Sequence, residues 1–408
     1  MVFPGPAASV SGVLGRIGRK LTEARGRRLE CFGSKAHGFV LGPPLPDAVV
    51  AAFEAEHEIE LPEGYREFVT TLGNGGAGPY YGLLPLDRCA RYSGPLSRPS
   101  PLRPAGPDES AEYLTGREDD LFDGVITLVD QGCAYSSLLI VTGPHQGAVV
   151  NIDPDLSGAP YFTRDAGFLA WYERWLDELL WGWDGHWFGF GLPGREPELA
   201  QALLGPSGSD RREALRTLLR IPVLSADALS AVTGCANDPD PAVRVAALAI
   251  LGKQSSGTAA IIARLRDTEP AVRAAAVRGL PKSGVSARHW RAALADPDPA
   301  VVRNSLRLLA SHDRLTAADL APLLTASLPE MRSTAVYYLE KTDAQTVPAA
   351  MFTDPATAVV RQAVLTAGSL NDERSIPLLR HLLSNASEPS LRTLITKSLE
   401  RISGRDKL

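Results

Sequence analysis

The 408-residue sequence predicts an α+β domain, with helices packed on a small mainly antiparallel sheet, followed by an all-α solenoid of helical hairpins. Two observations carry that prediction. The C-terminal half repeats one short segment six times at a drifting period near 30 residues. The N-terminal half has no repeat and mixes helical spacing with alternating, glycine-punctuated segments. At roughly 150 residues per domain the length accommodates both parts. The boundaries read as 1–192 for the first domain, 193–209 for a linker, 210–402 for the solenoid and 403–408 for a tail.

In the first domain, helical spacing covers Gly12 to Leu29, Asp47 to His57 and Glu63 to Thr71. Pro62 opens the third of these, and Glu63 lies in its first turn, where a carboxylate meets the positive end of the helix dipole. Tyr65, Phe68, Val69 and Leu72 supply its apolar face, and Gly73 to Gly78 lets the chain leave the helix. Short strands follow near Tyr80 to Leu86, Gly124 to Val129, Ser136 to Val141 and Ala148 to Ile152, and a helix over Ala166 to Leu180 closes the domain. Residues 93 to 107 hold five prolines, so 93–118 reads as a solvated Pro-rich insertion loop.

The six repeated segments begin at Asp238, Asp267, Asp296, Ala326, Asp354 and Ala386. Their matching apolar anchors are Val243, Val272, Val301, Met331, Val359 and Leu391. A capping Asp or Ser and a Pro in the first turn satisfy or remove the orphan amides of a helix start. Val243, Ala246, Ala247, Ile250 and Leu251 then fall on one stripe. Shorter helices over Ala226 to Ala236, Ala259 to Arg266 and Ala317 to Leu324 lie between, and because one hairpin cannot bury its own stripe, neighbours must stack. The D-P-x-P-x-V-R pattern resembles the short bacterial HEAT repeats over roughly Asp210 to Ile402. That resemblance implies a structural role for the arginine after the anchor, bridging to the Asp of the next turn: Arg244, Arg273, Arg332 and Arg392, displaced by one at Arg303 and Arg361.

Three stretches of the first domain together resemble the SMI1/KNR4 (SUKH) superfamily. They are LPDAVVAAFEAEHEIELPEGYREFVTTLGNGGAGPYYGLLPL from Leu45, QGCAYSSLLIVTGPHQGAVV from Gln131 and FLAWYERWLDELL from Phe168. The resemblance implies a non-enzymatic protein-binding fold, widespread among bacterial immunity proteins that neutralise cognate toxins.

Composition agrees with a soluble, cytoplasmic protein: 44% hydrophobic and 22% charged residues, no apolar run near the ~20 residues of a membrane helix, and no secretory signal pattern. The formal charge of −5 conceals an asymmetry, since residues 1–195 hold 25 Asp and Glu against 16 Lys and Arg. Residues 196–408 hold 22 against 26, far from the basic footprint of a nucleic-acid binder. The acidic half instead suits a basic protein partner, which the SMI1/KNR4 resemblance implies is a nuclease-type toxin. Cys31, Cys89, Cys133 and Cys235 lie far apart, with no C-x-x-C pair for zinc or redox chemistry.

No catalytic, cofactor-binding or metal-binding constellation stands out. Gly73, Gly75 and Gly78 match G-x-G-x-x-G spacing but follow a helix instead of a strand. His57 among its glutamates has no second His at ligand spacing, His186 with Asp184 reads as a packed or hydrogen-bonded pair, and Cys133 has no recognisable base. Three partner-binding surfaces are nominated: the turn with Asn74, Gly75, Gly76, Tyr80 and Tyr81; the acidic Glu54, Glu56 and Glu58; and the aromatic Trp181, Trp183 and Trp187, whose place just before the linker reads first as a contact docking the two domains. Trp171 and Trp175, one turn apart, are assigned to the core. Function therefore reads as a non-catalytic, immunity-type or related interaction protein. The alternatives are a regulatory scaffold whose solenoid holds the main client and, at a distance, a HEAT-like nucleic-acid-modifying enzyme.

Overall fold

The structure, a computed structural model, describes residues 9–91, 93–104, 120–153, 159–282 and 286–404. It forms two compact units, residues 1–231 and 232–408.

Unit 1 contains α1 (Val10–Gly26), α2 (Asp47–His57), α3 (Glu63–Thr71) and the short α4 (Leu86–Cys89). A four-stranded antiparallel sheet follows in the order β1 (Val125–Gly132), β2 (Tyr135–Ile140), β3 (Val149–Ile152) and β4 (Tyr161–Phe162). Then come α5 (Phe168–Leu180), α6 (Glu196–Ala202), α7 (Gly208–Leu218) and α8 (Ala226–Cys235), the last of which runs through the division between the units. On α1, Leu14, Ile17, Leu21 and Ala24 fall at helical spacing and are buried, and α5 buries Phe168, Trp171, Tyr172, Trp175, Leu176 and Leu179. These two faces join Tyr65 and Phe68 of α3 and the inner side of the sheet in one core. Arg16 grips both carboxylate oxygens of Glu173 at 2.7 and 2.8 Å, fixing the register of α1 on α5.

Several expectations are corrected here. Tyr80 to Leu86 is not a strand: only Leu83 pairs, with Gly76 and Val129, before Leu86 opens α4. The stretch read as a linker holds α6. The described part of the Pro-rich insertion, 93–104, is not a solvated loop, because Leu96 and Leu102 are buried and Ser100 N–H donates to Thr142 O at 2.9 Å. Leu102 packs with Leu121, Val125, Leu138, Ile140, Val150 and Ile152, so the sheet is buried on both faces. Prolines bring no amide donors to bury, which lets such a segment lie against a sheet at little polar cost. Residues 105–118 of the insertion and 405–408 of the tail lie outside the described residues.

Unit 2 stacks one long helix per repeat: α9 (Pro241–Lys253), α11 (Pro270–Gly279), α13 (Pro299–Ser311), α15 (Pro329–Tyr338), α16 (Thr357–Leu370) and α18 (Pro389–Ile402). Between them lie α10 (Thr258–Arg264), α12 (Ser286–Ala292), α14 (Ala317–Leu324) and α17 (Ile376–Asn385), with a five-residue 3-10 helix, Ala349–Thr353, in the remaining gap. Helices α9 and α11 meet backbone to backbone, since a Cβ on Gly252 would lie 2.6 Å from Gly279 Cα. The second Asp of the D-P-D-P segments caps the helix: Asp240 accepts from Ala242 N and Asp298 from Ala300 N, both at 2.8 Å.

The first Asp has a different task. Arg244 donates to Asp267 at 2.8 Å, Arg273 to both oxygens of Asp296 at 2.7 and 2.9 Å, and Arg332 to both oxygens of Asp354 at 2.6 and 2.7 Å. Burial alone would raise the Asp267 and Asp296 carboxyls, but the arginine and a backbone amide hold them below the ordinary value. Arg332 holds Asp354 down in the same way. Where Val302 and Val360 replace the arginine, the following segment opens with Ala326 and Ala386 in place of Asp. Both charges are therefore lost together, as expected when a lone buried charge costs several kcal/mol. The displaced Arg303 and Arg361 pair instead with Glu330 and Glu388 at the surface.

Candidate functional site

Four irregular segments of unit 1 converge on one aromatic face: the loop after α1, the Tyr80–Tyr81 turn, the tip of the β1–β2 hairpin and residues 184–190. Gly33 sets the first two against each other. Its φ is +80°, and a Cβ there would lie 2.0 Å from Tyr80 O. Phe32, next to it, stands outward with its ring 5.3 Å from Tyr81 and 5.5 Å from His186. The hairpin turns in two residues, Cys133 and Ala134, both at positive φ, between the paired Gly132 and Tyr135. Trp187 has φ +58°, and its ring lies 6.1 Å from Tyr135 and 5.8 Å from Phe190. Underneath, the buried Tyr80 donates its hydroxyl to Phe188 O at 3.0 Å.

The result is a set of large rings left in water. Trp187 is 60% exposed, Tyr81 49% and Phe32 40%. A cavity of about 440 Å³ beside Tyr81 is lined by Glu30, Cys31, Ser34 and Lys35. Exposed carboxylates of Glu30, Asp130 and Asp184 stand around the face. Asp184 accepts from His186 N at 2.9 Å and lies 2.6 Å from its Nδ1. Burial pushes the Cys31 thiol and the Tyr80 phenol up and the His37 imidazole down, so these three favour their neutral forms. A raised thiol is the opposite of what a cysteine nucleophile needs.

Behind the face lies a buried charge cluster. Arg220 donates to Glu178 at 2.6 Å and to Asp184 O at 2.9 Å, and the Arg174 and Arg220 guanidiniums stand 5.1 and 5.6 Å from the Phe188 ring. Asp165 approaches Arg174 within 2.8 Å without hydrogen-bond alignment, and burial pushes its carboxyl up to about 6 against the pull of Arg174. Thr217 of α7 donates to Leu192 O at 2.8 Å. The aromatic segment is thus held from behind by α5 and by the α7 region.

The nominated residues divide accordingly. Tyr81, Trp181 and Trp187 are exposed, and Trp183, half-buried, packs 5.1 Å from Trp181. Tyr80 is buried support rather than surface. Asn74 spends its side-chain oxygen on Leu86 N at 2.8 Å, while a Cβ on Gly75 would meet Pro85 and one on Gly76 would meet Val40 O. That glycine turn is internal scaffolding, not a binding rim. Glu54 is also internal in role, accepting from Leu61 N at 3.0 Å and pairing with Arg66. Glu56 and Glu58 are exposed, and Glu58 ends α2 in the left-handed region. Trp171 and Trp175 are core residues, as their spacing indicates. Sequence reasoning missed Phe32, Tyr135 and Phe190; Phe32 carried only the signal of a ring preceding a turn glycine.

Among the described residues no group of three or more His, Cys, Asp or Glu could hold a metal ion, and no helix is long and apolar enough to cross a membrane. Residues 196–280 match the family model for HEAT repeats. The repeat region is HEAT-like. Among solved structures, the chain is similar to an archaeal HEAT-like repeats protein from Thermococcus onnurineus NA1, at 14% identity and a TM-score of 0.34, over 52% of this chain and 99% of that one. It is also similar to computationally designed armadillo repeat proteins for modular peptide recognition, at 15% identity and a TM-score of 0.27, over 51% and 99%. The search of curated proteins gave no match.

Proposed function

We propose that this chain is a non-catalytic protein-binding protein and that the Phe32–Tyr81–Trp187 face is where a partner docks. The observation that carries the reading is the exposure of large rings on one face whose backbone is fixed by buried contacts. Clustered exposed aromatics mark interaction sites, and aromatic anchors dominate interface energetics. Tyr80 beneath the face and Cys133, Ala134 and Trp187 on it are four of the ten non-glycine residues with positive φ among the described residues. Such strain concentrates at functional sites.

The finer form of the proposal is a cytoplasmic immunity-type protein of the SMI1/KNR4 kind that neutralises a basic toxin. It rests on the resemblance of Leu45 to Leu180 and on the excess of 25 Asp and Glu over 16 Lys and Arg in residues 1–195. The carboxylates of Glu30, Asp130 and Asp184 would steer a basic partner onto the rings. A regulatory scaffold with a client on the repeats is the second reading, favoured by an exposed row of side chains on unit 2 described below.

The test is capture from the native host by the full chain and by its Phe32→Ala/Trp187→Ala variant, followed by titration of each purified partner. A basic protein bound by the native chain and weakened at least tenfold by the variant supports the proposal. Equal binding by both removes the aromatic face from it.

A further inference from the structure

The repeats place equivalent residues in rows across unit 2, and one row joins exposed basic side chains to exposed apolar ones. Six residues beyond each apolar anchor stand Ala249, Arg278, Arg307, Tyr337, Leu365 and Lys397, every one exposed. Three residues beyond the anchors stand Ala246, Ala275, Asn304, Thr334, Gln362 and Leu394. Residues 232–408 contain 17 Asp and Glu, yet none falls in either row. Arg278 and Arg307 have no carboxylate partner among the described residues, although arginines elsewhere in the array pair regularly. They are also neighbours: burial and the charge of Arg307 together hold Arg278 below the usual guanidinium range. Tyr337 and Leu365, both 45% exposed, continue the row as an apolar step. A cavity of about 470 Å³ opens between the rows, lined by Asn304, Arg307, Thr334, Tyr337, Tyr338 and Gln362.

We infer that this double row binds an extended acidic peptide segment of a partner protein. Packed helices lie about 8–10 Å apart. A chain in the extended polyproline II conformation has three residues per turn and rises about 3.1 Å per residue, so every third side chain returns to the same face at about the spacing of successive repeats. The row then reads as acidic, acidic, apolar, apolar, acidic against Arg278, Arg307, Tyr337, Leu365 and Lys397. Within their own helices Asn304 donates to Ala300 O at 2.8 Å and accepts from Arg307 at 3.4 Å, and Gln362 donates to Thr366 at 3.2 Å. Their amides keep further donors and acceptors, which suits the alternating N–H and C=O of a peptide better than a phosphate backbone that only accepts. The aliphatic Leu365 in mid-row also favours a peptide, since bases stack on aromatic or guanidinium faces. This surface is distinct from the aromatic face of unit 1, and the inference does not depend on it.

The test is fluorescence anisotropy of the full chain with labelled peptides of about thirteen residues. Each carries Glu, Glu, Leu, Leu and Glu at every third position in a serine background, synthesised in both chain orders. Binding of one order is expected, with a loss of roughly tenfold or more in Arg278→Glu/Arg307→Glu and in Tyr337→Ala. The peptide with Lys in place of Glu should not bind. All substituted positions are exposed, and circular dichroism melts check that each variant keeps its fold. Failure of both orders to bind, binding indifferent to the charge reversal, or tighter binding of a single-stranded oligonucleotide would each overturn the inference.

Discussion

Unit 1 and unit 2 assemble surfaces by opposite means. In unit 1 the candidate face comes from four segments far apart in sequence, each fixed by an individual constraint such as Gly33 against Tyr80 or Arg220 behind Phe188. In unit 2 one register position, repeated six times, lines up side chains with no special loop geometry. The first arrangement yields a compact, singular site that one substitution can dismantle. The second yields an extended, graded surface in which each repeat contributes a share.

The sharpest way to break this comparison is through the cores. Trp171→Ala should destabilise unit 1 by about 3–5 kcal/mol. Calorimetry should show its transition lowered while that of the repeats stays in place. A single coincident shift would mean that the two units unfold as one. In unit 2, Asp267→Ala leaves the buried Arg244 with backbone carbonyls as its only partners among the described residues and should cost about 3 kcal/mol. The double variant Arg244→Val/Asp267→Ala copies the arrangement found naturally at Val302 and Ala326 and should recover most of that loss. By contrast Arg303→Ala, which breaks the surface pair with Glu330, should change stability by no more than about 1 kcal/mol.

The units should also answer pH with opposite signs. Asp165 has its carboxyl raised to about 6 in the folded chain, above the ordinary value of 3.8. Between those values the folded state binds the extra proton, so acidification from pH 7 to 5 should stabilise unit 1, and Asp165→Asn should flatten that gain. Asp267, Asp296 and Asp354 are depressed instead. Their contribution is complete above the ordinary carboxyl range and is lost as pH falls through the depressed values, so the repeats should weaken below about pH 4. Melting curves at stepped pH measure both. A small effect is also expected of the cap: Asp298→Ala should cost unit 2 about 1 kcal/mol in a denaturant titration.

Legibility followed the same division. The repeats were readable because their information is local and periodic: anchors, caps and the Arg–Asp bridge all recur at fixed offsets. Helices α2 and α3 and the buried Trp171 and Trp175 were equally plain from spacing. The stretch Tyr80 to Leu86 misled because Leu83 bridges two partners without extending a ladder, so an alternating pattern there does not make a strand. The Pro-rich segment misled because Leu96 and Leu102 alone decide that it packs on the sheet. The candidate site was half legible. Trp181 and Trp187 stand out as aromatics and Tyr81 as part of the glycine turn, but nothing local announces that Phe32 joins Tyr81, since that contact depends on Gly33 meeting Tyr80 across the fold.

The measurement that tests the account most directly is titration of a partner captured by the native chain against three proteins: native, Phe32→Ala/Trp187→Ala, and Arg278→Glu/Arg307→Glu. The account predicts a basic partner whose affinity falls at least tenfold in the aromatic variant and is unchanged in the charge-reversed one. Undiminished binding by the aromatic variant would contradict it.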